Sequence, residues 1–176
     1  MDPYTSIPMF LSEFEGYPAV GVNWVVYDSN GHISKPDGLV IENYTRVELN
    51  TNSSQNHIIK SIIQPSRTLF CPRPHCCIYT PFSKHKLAVN ENYEPIVGKS
   101  LEGLSKAKSV SINKIRCCHY YSKSKEEFEK KCKRGMADSK YYRTVTEEQY
   151  NFTETKQDFT MLKYVDVLRF EVNKYQ

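Results

Sequence analysis

The nine residues Ala19 to Tyr27 read Ala-Val-Gly-Val-Asn-Trp-Val-Val-Tyr. No other stretch constrains the fold as much. β-Branched and aromatic side chains dominate, as a strand favours. Apolar and polar residues do not alternate, so the pattern predicts a strand buried on both faces. Gly16-Tyr17-Pro18 bounds it on one side. On the other, Asp28-Ser29-Asn30-Gly31 carries the Asn-Gly signal of a tight turn. Such a strand must be covered on both sides, so the rest of the chain has to supply apolar faces.

Helix signals are present. Ser6-Ile7-Pro8-Met9 opens a short helix, with Ser6 as cap and Phe10 and Phe14 sharing a face. Ser124-Lys125-Glu126-Glu127 is a capping box, the basic residues up to Arg134 suit a helix C-terminus, and Gly135 closes it. Thr146 to Gln149 is a second capping box. Phe159, Leu162 and Val165 recur at helical spacing in the tail. Further β-type runs are Gly38–Tyr44, Ile58–Ile63, Cys76–Tyr79 and Val110–Cys117, and Arg73-Pro74-His75 should be extended. Mixed strands and helices give an α/β fold class.

Leu, Ile, Val and Phe number 41 of 176 residues, above the roughly 20% below which disorder becomes the better expectation. No apolar run approaches the roughly 18 residues of a membrane helix. The N-terminus lacks the basic start and apolar centre of a signal peptide, which favours a cytoplasmic location. The net charge of +4 is uneven: residues 99–143 carry 13 basic and 5 acidic side chains. That block suits an anionic partner such as phosphate, nucleic acid or an anionic membrane surface, or else a solvated helix face.

Six cysteines, at 71, 76, 77, 117, 118 and 132, have neither regular disulfide spacing nor zinc-ligand spacing. Reduced, partly buried thiols are the expectation. The chain has no Gly-x-Gly-x-x-Gly, Walker loop or Gly-x-Ser-x-Gly elbow, so dinucleotide, P-loop and esterase chemistry are disfavoured.

Several side chains could carry chemistry. Glu42 stands in the apolar stretch Leu39-Val40-Ile41-Glu42, where a half-buried carboxylate could serve as a general base; a solvent-facing strand glutamate is the alternative. Asp28 reads as an Asx-turn former or a second base. His119 suits a metal ligand or a satisfied strand-end histidine. Lys123 precedes the start of a helix, where free amides at Ser124 would make a phosphate site. Tyr120, Tyr121, Tyr141 and Tyr142 beside lysines could stack nucleic-acid bases, but no nucleic-acid motif accompanies them.

Four segments together resemble glycosyltransferase family 92 and its family-2-like relatives. They are Gly21-Val22-Asn23-Trp24 through Ser29-Asn30-Gly31-His32, then Gly38 to Tyr44, then Lys60-Ser61-Ile62-Ile63-Gln64-Pro65, then His119-Tyr120-Tyr121-Ser122-Lys123-Ser124 with Glu126-Glu127-Phe128 and Arg134-Gly135. The family reads Asn-Trp, Phe-Gly-Ser-Ser-Gly-His, Val-Ile-Glu-Arg-Phe, Lys-Ser-Ile and Asn-His-Tyr-x-Thr-Lys-Ser. Asp28, Asn30, Asn43 and Cys118 depart from that pattern, and the chain has no Asp-x-Asp.

The resemblance implies a partial GT-A (Rossmann-like) fold. Residues 1–143 would be its C-terminal half, without the N-terminal nucleotide-binding half, and 144–176 a helical tail. It implies inverting transfer from a nucleotide-sugar donor to a glycan or other hydroxyl acceptor with Mn²⁺ or Mg²⁺, by a chain inactive on its own. Glu42 or Asp28 would be the base, His119 a metal ligand, Lys123 and Ser124 diphosphate contacts, and Trp24 and His32 acceptor-side residues. The competing expectation is a non-catalytic module that binds an anion or nucleic acid through residues 99–143.

Overall fold

A computed structural model describes residues 6–82, 84–136 and 142–175. In chain order the elements are α1 (Ile7–Ser12), β1 (Ala19–Tyr27), α2 (Val40–Asn43), β2 (Arg46–Glu48), β3 (Ile59–Ile63), β4 (Thr68–Arg73), β5 (Cys76–Tyr79), β6 (Cys117–Tyr120), α3 (Lys125–Arg134), β7 (Thr155–Gln157) and α4 (Val165–Asn173), with short 3₁₀ turns between some of them. The class is mixed α/β, and the registers between β1, β2, β3 and β7 and between β4 and β5 are antiparallel. Among the described residues no helix is long and apolar enough to cross a membrane.

The chain forms two compact units that interleave in sequence. The first comprises residues 1–25 and 52–118, the second 26–51 and 119–176. The units are discontinuous because β1 feeds both: its first seven residues belong to one and its last two to the other.

In the first unit, β1 pairs with β3 from Ala19↔Ile63 to Asn23↔Ile59. Every residue of β1 is buried, as the unbroken apolar run required. Ala19, Ile59, Ala88, Ile96 and Ala107 pack on one cluster, and Phe10, Phe14, Val20 and Val89 on another. A Cβ at Gly21 would come within 2.8 Å of Ile59 Cδ1, so only glycine fits there without a shift. Ser6 caps α1 as predicted, its Oγ accepting from the Met9 amide at 3.3 Å.

The run Val110–Cys117 is not a strand before Cys117. A carboxylate takes the place of a partner strand. Glu91, 1% exposed, accepts from the amides of Asn113 (2.8 Å), Lys114 (2.8 Å) and Ile115 (2.7 Å) and from Ser111 Oγ (2.6 Å). The Ser111 amide donates instead to Asn23 Oδ1 in β1, at 3.2 Å. With these donors held by side chains, the ladder that β-propensity favoured does not form.

The cysteine expectation is also corrected. β4 and β5 pair Phe70 with Ile78 and Arg73 with Cys76, which brings Cys71 and Cys77 to a Cα–Cα distance of 4.0 Å, and the two form a disulfide. Cys76, Cys117, Cys118 and Cys132 are free thiols. Burial raises the pKa of the Cys117 thiol.

In the second unit, Tyr27 of β1 pairs with Val47 of β2, and β2 pairs with β7. The tail is therefore not wholly helical. Phe128 of α3 is fully buried against the rings of Tyr121 and Tyr150. The predicted Asn-Gly turn is present: Asn30 (φ 54°) and Gly31 (φ 81°) lie between Ser29 and His32, and the His32 amide donates to the Ser29 carbonyl.

Gly38–Tyr44 is not a strand. Gly38 takes φ +91°, and the next residues close a helical turn, α2. Glu42 Oε2 accepts from the Leu39 amide at 2.9 Å, and the Asn43 amide group donates to the Asp37 and Leu39 carbonyls. These local bonds override the β-preference of Val40 and Ile41.

Glu91→Ala would strand three backbone donors and should destabilise the first unit by at least about 3 kcal/mol. Glu91→Gln keeps the shape but turns one acceptor into a donor, and should be destabilising as well. Denaturant unfolding measures both losses. Hydrogen exchange should show the Asn113, Lys114 and Ile115 amides losing protection first.

Candidate functional site

Six of the seven sequence-predicted site residues fall in the second unit; Trp24 is in the first. Trp24 is buried and packs edge-on against the His75 ring, centroids 5.1 Å apart. That is a core position.

Asp28 forms the Asx turn that its place predicted, with Oδ1 accepting from the Asn30 amide at 2.9 Å. It is also fully buried. Arg46 Nε lies 2.9 Å from both carboxylate oxygens, Arg46 Nη2 is 2.8 Å from Oδ2, and the Phe152 amide donates to Oδ2 at 3.0 Å. A carboxylate so completely engaged anchors structure and is not free to take a proton from a substrate. Glu42 is held more loosely: Oε2 caps α2 and Oε1 pairs with Arg169, whose side chain is 59% exposed. His32 Nε2 lies 3.1 Å from the Asn43 carbonyl oxygen, and its ring meets Tyr44 edge-on.

The N-terminus of α3 forms as the capping box predicted, but its amides are occupied by the chain itself. The Lys125 amide donates to the His32 carbonyl, that of Glu126 to the Ile33 carbonyl, that of Glu127 to Ser124 Oγ, and that of Ser124 to the Tyr44 hydroxyl. The expected phosphate site at this helix end is therefore closed. Glu127 fills it: Oε2 accepts from Tyr44 Oη at 2.8 Å and Ser124 Oγ at 2.9 Å, and Oε1 from Lys123 Nζ at 3.2 Å. Burial opposes ionisation of Glu127, but these three donors outweigh it and hold its pKa below the usual value. Burial, reinforced by Glu127, pushes the Tyr44 phenol up to about 12.

The cations gather instead on the flank of α3. A cavity of about 470 Å³, within the size range of small-ligand sites, is lined by Tyr121, Ser122, Lys123, Lys130, Lys131 and Arg134, among others. Lys131 is its most unusual member. Its Nζ donates to the Tyr121 carbonyl at 2.6 Å and lies 3.8 Å from the centre of the Tyr121 ring. Burial lowers its pKa to about 8, and the like charges of Arg143, Arg134 and Lys123 contribute. Ser122 is 2% exposed, and its Oγ has no hydrogen-bond partner among the described residues. A buried hydroxyl left so is costly unless a ligand completes it. Lys123 takes φ +58°, a strained conformation for a lysine.

His119 does not line this cavity; its ring centroid lies 5.7 Å from that of Tyr121. Among the described residues no group of three or more His, Cys, Asp or Glu side chains could hold a metal ion. Mn²⁺ and Mg²⁺ take several oxygen ligands, and no such set gathers with His119 among the described residues.

Sequence reasoning found Lys123 but missed Lys131 and Ser122. Their signal was available: Lys131 lies ten residues after Tyr121, within the basic block. Only the packing of α3 against that segment turns one of many lysines into a half-buried one. The family-model scan, the curated proteins and the solved structures each returned no match to this chain.

Asp28→Asn should cost the second unit about 3–5 kcal/mol, because it leaves the Arg46 guanidinium without its counter-charge. Thermal unfolding checks this, and Glu42→Gln should shift the same transition far less.

Proposed function

We propose that this chain binds a phosphate ester through the cavity on the flank of α3. We further propose that the ligand is the diphosphate of a nucleotide sugar, in an inverting glycosyltransferase of partial GT-A fold that acts on a glycan or other hydroxyl acceptor. The observation that carries the reading is the crowding of Lys123, Lys130, Lys131 and Arg134 around one cavity, opposed among the lining residues only by Glu127. Lys131 is half-buried and surrounded by like charge, so an entering anion relieves repulsion and gains hydrogen bonds together. The family resemblance converges here, since its most specific segment, His119 to Ser124, runs into the cavity wall.

In this reading Lys131, Lys123, Lys130 and Arg134 bind and neutralise the diphosphate. Transfer also needs a base for the acceptor hydroxyl. Glu42 suits that role better than Asp28, because an incoming hydroxyl can displace the exposed Arg169 guanidinium.

Calorimetric titration of pyrophosphate and of UDP- and GDP-sugars tests the reading. Lys131→Gln and Arg134→Gln should each weaken binding about tenfold, the loss of one charge-assisted contact. Lys123→Gly separates two effects: it removes a charge and relaxes a positive-φ backbone, so affinity should fall while the melting temperature holds or rises. Equal binding of pyrophosphate and nucleotide sugars, without transfer, would reduce the protein to an anion-binding module.

The pH dependence has a definite sign. Lys131 is protonated below about 8 and neutral above it. Affinity should therefore be flat below that pH and fall as pH rises through it. Near pH 8 binding should take up a proton, because the bound anion raises the lysine pKa. Lys131→Gln should abolish both effects, and an unchanged proton uptake in that variant would place the linkage elsewhere.

A further inference from the structure

We propose that the β4–β5 hairpin of the first unit, with the segment that follows it, docks on a membrane surface rich in anionic lipid. Between Glu48 and Glu91 the chain carries five Lys or Arg residues and no Asp or Glu. Four of the five, Arg67, Arg73, Lys84 and Lys86, stand in or beside the hairpin, and the last three are exposed.

Large apolar side chains are exposed among them. Leu69 is 60% exposed, Phe70 58% and Phe82 95%. The register keeps Leu69 and Phe70 side by side, with Thr68 paired to Tyr79 and Phe70 to Ile78, and Phe82 follows two residues after Thr80, whose amide donates to the Arg67 carbonyl. Exposed apolar residues ringed by cations, with no acid in the run, are the chemistry of an interfacial anchor on anionic lipid.

Charge complementarity and the edge chemistry of β4 favour a lipid surface. Leu69 and Phe70 are both exposed at a register shift of β4 that falls between Thr68 and Phe70. A headgroup layer rich in anionic lipid meets the exposed Arg73, Lys84 and Lys86 while these apolar side chains enter its interface. β4 also carries Pro72, which has no N–H to offer a further strand, so the hairpin is a poor template for strand addition by a second copy or a peptide. The Cys71–Cys77 disulfide closes the hairpin and holds it in shape before docking. Glu102, whose charge also reaches Arg73, is paired with Lys106 at 2.9 Å.

The test is co-sedimentation of the full chain with vesicles of phosphatidylcholine alone and of phosphatidylcholine with phosphatidylserine at roughly a third of the lipid. Partitioning should favour the anionic vesicles by at least about tenfold and weaken strongly as salt is raised from about 0.1 to 0.5 M. Phe70→Ser with Phe82→Ser should reduce it about tenfold, as should Lys84→Glu with Lys86→Glu, both without change in melting temperature. Lys131→Gln should leave it unchanged, which keeps this surface separate from the phosphate-ester cavity. Several results would overturn the proposal: equal binding to neutral vesicles, no binding to either, loss with Lys131→Gln but not with the hairpin pairs, sedimentation without lipid through self-association, or capture by a DNA oligonucleotide that vesicles do not compete away.

Discussion

A strand buried on both faces must have every polar group near it satisfied from within the chain, and much of this structure follows from that constraint on β1. Asn23 sits mid-strand with no exposure, and its side chain donates to the Asn56 carbonyl and accepts from the Ser111 amide. Val89 hydrogen-bonds with the Ala19 carbonyl and the Gly21 amide, and two residues later Glu91 collects the amides of Asn113, Lys114 and Ile115. A buried carboxylate that accepts from several amides does the work of a missing strand, at the cost of desolvating a charge. At the other end of β1, Asp28 does the same for the turn, drawing in Arg46 and the Phe152 amide.

The third carboxylate hub is Glu127. By capping α3 and taking the Tyr44 and Lys123 donors, it closes the positive end of the helix. The remaining cations then face a cavity on the flank, where Lys131 is half-buried with Arg134, Arg143 and Lys123 nearby. Like charges held close together in a partly desolvated place form an arrangement that a phosphate ester would relieve. The two units thus offer different chemistry: one a cation-lined cavity, the other a cationic, apolar hairpin.

Local rules were legible in the sequence. The buried strand, the Asn-Gly turn, the Ser6 and Ser124 caps and the Gly135 stop rest on interactions within a few residues, which spacing alone specifies. Where the reading went astray, at Gly38–Tyr44 and Val110–Cys117, β-branched propensity was outweighed by side-chain hydrogen bonds. Those came from Glu42 and Asn43 in one case and from Glu91, some twenty residues away, in the other. Propensity carries no information about such partners.

The sequence by itself determined which residues are basic, which segments cap helices and which run must be buried. Tertiary structure alone decided that Asp28 is locked to Arg46, that Cys71 meets Cys77, and that the α3 amides are spent within the chain. It also decided that Lys131, one of many lysines, is the one whose charge is in question. Burial and the approach of charges distant in sequence set an ionisable group's chemistry, and both exist only once the chain has folded.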